Sequence, residues 1–184
     1  MTKGAAMITA TTYWRATLGD VMYERVLSRV PPETREQLEN PPLAVSWIPF
    51  AHTRHFLESL VEIIGAERAA ATYEALGAKM LEQDLRGIYR ALLRIVTIDF
   101  AMQRAGKMFG QYNRDAGTLS TTRDAPRRVS CHYRDLPMAH IVFARFLAGA
   151  ARGVVSLATG KPARVAACTL LPGNGVDVAI EWDG

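Results

Sequence analysis

The stretch Arg127 to Trp182, RRVSCHYRDLPMAHIVFARFLAGAARGVVSLATGKPARVAACTLLPGNGVDVAIEW, decides the fold. Val129, Cys131 and Tyr133 alternate with Arg128, Ser130 and His132, so Arg127 to Tyr133 reads as a strand with one buried and one wet face. After Pro137 comes a long apolar segment, Met138 to Ala158, whose polar stripe runs narrowly through Arg145, Arg152, Ser156 and Thr159. It reads as a helix with Gly160 at its C-terminal cap and Pro162 after it. Two more alternating segments flank a Pro-Gly-Asn-Gly turn, with Val176, Val178, Ile180 and Trp182 on one face and Asp177, Glu181 and Asp183 on the other. This order predicts a sheet with one helix laid across it. The sheet covers one side of that helix; the helical half, or a second subunit, must cover the other.

Upstream, helical spacing dominates. Ile8 to Val30 reads as a short extended or irregular start and then a helix from about Gly19, with Asp20 as its cap. A short helix opens at Pro32 and closes before Pro41 and Pro42. The segment LAVSWIP, bounded by prolines, reads as a buried linker anchored by Trp47. From Phe50, Leu57, Leu60, Val61 and Ile64 share one helix face as far as Gly65. Ala66 to Leu85 continues as a helix with Tyr73, Leu76, Met80 and Leu81 inward and Gly77 suited to close packing. Ile88, Leu92, Ile95 and Val96 extend the pattern, and Thr97 or Asp99 caps a helix to about Tyr112. Asn113 to Gly117 switches to sheet, with a first strand over Thr118 to Thr122. The predicted class is α+β, a helical N-terminal half packed on a small antiparallel sheet crossed by one long apolar helix. All of 1–184 is expected to form one domain, 1–112 mostly helical and 113–184 the sheet layer.

Composition narrows the function. Hydrophobic residues at 49% and charged residues at 22% fit an ordinary globular chain. The net charge is +4 and the pI about 9.3, but no run of five basic residues occurs, so nucleic-acid binding is not expected. Cys131 and Cys168 show no CxxC spacing and read as free thiols in a reducing compartment. The N-terminal apolar run is too short and too broken by threonine for a signal peptide, and His140, Arg145 and Arg152 interrupt Met138 to Ala158 as a membrane span. A soluble, cytoplasmic protein is expected.

No catalytic set assembles. His52, His55 and Glu58 recur every three residues, but the string is not HExxH, and no metal site is assigned. Alternation puts Cys131 and His132 on opposite faces, against a nucleophilic pair. GxSxG, GxxxxGK[ST] and GxGxxG are absent. Arg86, Arg90 and Arg94 at successive i, i+4 positions form a stripe that is either solvated or an anion and partner surface.

The strand, the helix with its small-residue LAGAARG segment, and the hairpin opening at Cys168 and closing at Trp182 resemble the 4-vinyl-reductase-type ligand-binding domain. Its short stand-alone relatives, abundant in myxobacteria, are the nearer resemblance: Leu85 to Gly117, LRGIYRALLRIVTIDFAMQRAGKMFGQYNRDAG, follows their middle pattern, and PPETREQL and SWIPF resemble their entry segments. The family's second hairpin cysteine is Val176 here, so a metal held by those cysteines does not carry over. The fold superfamily includes haem nitric-oxide sensors and transport protein particle subunits. The haem sensors use an axial histidine on a mid-chain helix, whereas this chain has no histidine between His55 and His132; no cofactor is expected.

The resemblance implies a pocket between helices and sheet and a homodimer. The pocket candidates are Phe143, Phe146, Leu147 and Val154 on the apolar helix, with Leu92, Phe100, Met108 and Phe109 opposite. The expected function is a non-catalytic sensory or regulatory domain binding a small apolar molecule, lipid or acyl chain, with a signalling protein as a possible partner. The alternatives are a protein-interaction module without a ligand and a small enzyme using His52, His55 or His132.

Overall fold

The computed structural model describes residues 1–40, 42–84 and 97–184. Strand β1 (Thr2–Lys3) leads directly into α1 (Gly4–Leu18), where the sequence reading expected an irregular start. The helix forms despite its threonines because Ala6, Met7, Ala10 and Trp14 bury one face. Thr11 and Thr12 turn their hydroxyls back onto the Ile8 and Met7 carbonyls of the same helix.

Helix α2 (Asp20–Leu27) is preceded by Gly19 as its cap; Asp20 is the first helical residue and pairs with Arg15 at 3.4 Å instead of capping. Helix α3 (Pro32–Glu39) begins at the expected proline. The segment after it departs from expectation. Leu43 and Val45 are 77% and 74% exposed, and only Ile48 of strand β2 (Trp47–Ile48) is buried. What this segment contributes is backbone: the Ser46 and Ala44 carbonyls accept the Gly4 and Ala5 amides, which satisfies orphan donors at the start of α1. A side chain at Gly4 would meet the Leu43 carbonyl at 2.2 Å.

Helices α4 (Phe50–Ile64), α5 (Ala66–Asp84) and α6 (Ile98–Tyr112) complete the described helical half. Gly65 separates α4 from α5 with φ at 81°, a conformation that favours glycine. Thr97 caps α6 by accepting the Phe100 amide. Leu92, Arg86, Arg90 and Arg94 lie outside the described residues.

Strands β3 (Thr118–Ala125) and β4 (Arg128–Arg134) pair antiparallel, α7 (Ile141–Thr159) follows, and β5 (Ala163–Leu171) and β6 (Gly175–Trp182) close the chain. The sheet order is β3-β4-β6-β5, antiparallel throughout. Leu171 pairs with Gly175 across a three-residue turn in which Gly173 and Asn174 both take positive φ. Val176 stands opposite Tyr133 and Leu170 and is 1% exposed, so the hairpin is packed into the core there.

Helix α7 owes its second cover to its own chain. It packs on the sheet and on α5 so closely that a Cβ on Gly149 would sit 1.9 Å from the Glu74 carbonyl oxygen, and one on Gly77 2.1 Å from that of Phe146. Arg145 answers with an ion pair to Glu74 at 3.4 Å. By length and composition α7 is the one described helix apolar enough to cross a membrane, even with Arg145 and Arg152. Here it is a core helix, with Val142, Ala144, Ala148 and Val155 at 0% exposure.

Candidate functional site: an apolar cavity between helices and sheet

Packing side chains from eight elements, large ones around small ones, leaves a cavity of about 190 Å³. Helix α7 contributes Phe143, Phe146, Leu147 and Val154, and α6 contributes Met108 and Phe109, all six named from sequence. Phe100 does not reach it. Ala101, Met102, Ala105, Met108 and Phe109 define the arc of α6 that faces the cavity, and Phe100 falls about 100° outside Ala101. Its ring is 45% exposed, with the Arg104 guanidinium 5.2 Å from the centroid.

The sequence reading missed the wall that α1 supplies. Met7, Ala10 and Trp14 line the cavity at i, i+3 and i+7, a spacing that signals a helix once the threonines between them are discounted. From α5 come Tyr73 and Met80, read as inward but not as cavity residues, and from β4 Cys131 and Tyr133. Trp14 stacks on Phe56 at 3.9 Å and lies 5.8 Å from Tyr73, so these rings form one rigid aromatic side of the chamber.

The described part of the wall is uncharged. No Asp, Glu, Lys, Arg or His is among the described residues that line it. Burial, with a smaller contribution from Asp124, pushes the Cys131 thiol up to about 12, and burial raises Tyr73 and Tyr133 well above the ordinary phenol value. All three keep their protons at neutral pH. Two polar groups of the wall residues meet no partner, Trp14 Nε1 and Tyr73 Oη. Neither finds an acceptor within the described protein.

The other polar clusters lie away from the cavity. His52 and His55 converge on the fully buried Thr34, their Nδ1 atoms 2.9 and 2.8 Å from its hydroxyl. A hydroxyl gives its proton to one ring and accepts from the other, so both bonds form with the two imidazoles neutral in opposite tautomers. Glu58 turns to Arg54 at 3.9 Å. Among the described residues no group of three metal-ligating side chains is assembled.

On the outer face of the sheet, opposite Cys131, His132 is held by Asp177 at 3.0 Å and Thr122 at 3.1 Å. These are the parts of a hydroxyl, imidazole and carboxylate relay. The Thr122 hydroxyl, however, donates to Asp124, and Ser130 donates there too, so the set ties strands together across an open face. Partial burial raises the Asp177 carboxyl, but Arg134 and His132 outweigh it and hold it below the usual range.

No family model matches the chain, and no curated protein matches it. Solved structures do. An unliganded Fe(II) H-NOX protein from K. algicida aligns with a TM-score of 0.74 at 11% identity, over 99% of this chain and 97% of that one. A structure probing haem distortion in the H-NOX family gives 0.70 at 12%, covering 99% and 95%. An oxygen complex of an H-NOX domain related to soluble guanylate cyclases gives 0.60 at 12%, covering 96% and 94%. At such identities the likeness shows the fold alone, the one these H-NOX structures share.

The residues present do not fit a haem. Iron needs an axial histidine, thiolate, phenolate or histidine–methionine pair. His52 and His55 are engaged at Thr34, His132 is on the outer sheet face, and His140 caps α7 by accepting the Val142 amide. Those four are all the histidines of the chain. Burial raises the Cys131 thiol and the Tyr73 and Tyr133 phenols of the wall, which opposes the anionic ligand that iron takes, and the wall's methionines have no histidine to pair with.

Proposed function

We propose that this chain is a non-catalytic sensory or regulatory domain that binds a small apolar ligand in the cavity between the helical half and the sheet. The observation that carries this reading is a chamber of about 190 Å³ whose described wall residues are uncharged and largely hydrocarbon and aromatic. An engineered apolar cavity of about 150 Å³ stays dry and binds benzene. The volume here therefore favours a compact molecule over the extended acyl chain that the sequence left open. The fold of known sensors supports the sensory role, and the resemblance to 4-vinyl-reductase-type domains supports a ligand other than haem. Free thiols at Cys131 and Cys168 suit a cytoplasmic protein. A homodimer belongs to the same reading, with exposed Val21, Leu43 and Val45 as apolar surface available to it.

Native mass spectrometry of the purified protein tests the ligand. The expected result is a co-purifying or added small neutral mass that is lost in Ala105→Phe, which fills the wall from α6. A folded protein that takes up no small apolar molecule, with Ala105→Phe indistinguishable from it, contradicts the reading.

A further inference from the structure

Of the two sheet edges, one is protected and the other, among the described residues, is bare. An edge strand presents unpaired N–H and C=O groups, which proteins blunt with charges, prolines, bulges or a covering element. Strand β3, at one edge, carries Arg123 and Asp124 and lies against α6: Thr121 Oγ1 donates to the Met102 carbonyl at 3.2 Å, and a side chain at Gly106 would run into the Leu119 carbonyl. Strand β5, at the other edge, pairs only with β6 among the described residues. Its one charged side chain, Arg164, turns to Glu181, and its bulge falls early, between Val165 and Ala167. Beyond the bulge, Ala167 to Leu171, ACTLL, holds no charge, proline or glycine, and Leu170 is 38% exposed.

That run fits its own reverse. Antiparallel pairing about a two-fold axis at Thr169 sets Cys168 opposite Leu170 of the second copy, Ala167 opposite Leu171, and Thr169 opposite itself. Each large side chain then meets a small one, no like charges face each other, and paired threonines are favoured cross-strand neighbours. The faces agree as well. Cys168 and Leu170 stand in register with the buried Val178 and Val176 and share the core-facing side, while Thr169 stands with Asp177 on the open side. A strand of another protein would add to this edge without needing such a pattern, so the small-to-large match favours a second copy of this chain.

We propose that β5 is the seam of a homodimer, in which Ala167 to Leu171 pairs antiparallel with the same strand of a second copy about a two-fold axis at Thr169 and joins the two sheets into one. This rests on the homodimer in the reading above and gives it an interface other than the exposed Val21, Leu43 and Val45. A short strand pair buries less than a standard interface of roughly 1,600 Å², so the dimer is reversible and depends on concentration.

Sedimentation velocity between about 5 and 500 μM measures the equilibrium. The wild type is expected to pass from monomer to dimer across that range. Leu170→Lys, which places a charge on the edge, is expected to weaken the dimer by about tenfold or more with an unchanged melting temperature, and Leu43→Asp to leave it as it was. Thr169→Cys in a Cys168→Ser background reads the register independently. Mild oxidation is expected to trap a disulfide-linked dimer, since directly opposite Cβ atoms lie about 4.5–5.5 Å apart, whereas Val45→Cys in the same background stays monomeric. A dimer that survives Leu170→Lys, or one that cross-links as fully through Val45→Cys as through Thr169→Cys, overturns the seam and leaves the homodimer standing. A wild type that is monomeric throughout overturns both, and leaves the cavity reading untouched.

Discussion

Thr34 shows how a single buried hydroxyl sets a pH response. It joins α3 to α4 through two imidazoles, and the one whose Nδ1 accepts the Thr34 proton must be bare at that atom for both bonds to form. Burial above all, and then the neighbouring His55, lowers the pKa of His52, while Glu33 on α3 acts weakly the other way. A histidine whose pKa is lower folded than unfolded contributes full stability above the unfolded value of about 6.5 and loses it as the pH falls below that. The melting temperature is therefore expected to drop between pH 7.5 and 5.5, and to drop less in His52→Gln. An equal drop in both proteins would mean that the acid response lies elsewhere. The sequence showed the i, i+3 pair of histidines but not their use, because Thr34 is 18 residues away from His52 and carries no motif.

At the scale of elements, the close approach of α5 and α7 is what shapes the chamber. Gly149 has no room for a Cβ beside the Glu74 carbonyl, whereas Gly110 on α6 has nothing within 4 Å of the same position. Gly149→Ala is expected to cost about 1–3 kcal/mol through overpacking. Gly110→Ala is expected to be neutral or to stabilise by up to about 1 kcal/mol through helix propensity. Urea unfolding of the two variants measures the contrast; equal effects would refute the close contact. The sheet and α7 were legible because period-two and near-continuous apolar patterns each allow one reading, as in Val129 to Tyr133 and Ile141 to Ala158. Helix α1 was not, because its threonines and alanines are weak signals and burial of Met7 and Trp14 decides the outcome. The segment Leu43 to Ile48 misled for a different reason: its apolar side chains face solvent while its carbonyls cap α1, and sequence reports side chains better than backbone partners.

In the whole molecule, the cavity is a consequence of layers that meet along large side chains but touch closely only where glycines allow it. Sequence could nominate six of its wall residues from the apolar faces of α6 and α7. It could not show the α1 side of the chamber or that Tyr73 and Trp14 lack partners, since both depend on how helices from distant parts of the chain meet. The fold is shared with the H-NOX structures, while the described residues of the wall are uncharged, as the proposed site for a small apolar molecule requires. The central claim, that the chamber takes such a molecule, is tested most directly by methyl-labelling the methionines and titrating indane while recording carbon–proton correlation spectra. The resonances of Met7, Met80, Met102 and Met108 are expected to shift together and saturably, while those of Met22 and Met138, which do not line the cavity, stay in place. No saturable shift in the four, or equal shifts in all six, would contradict the account.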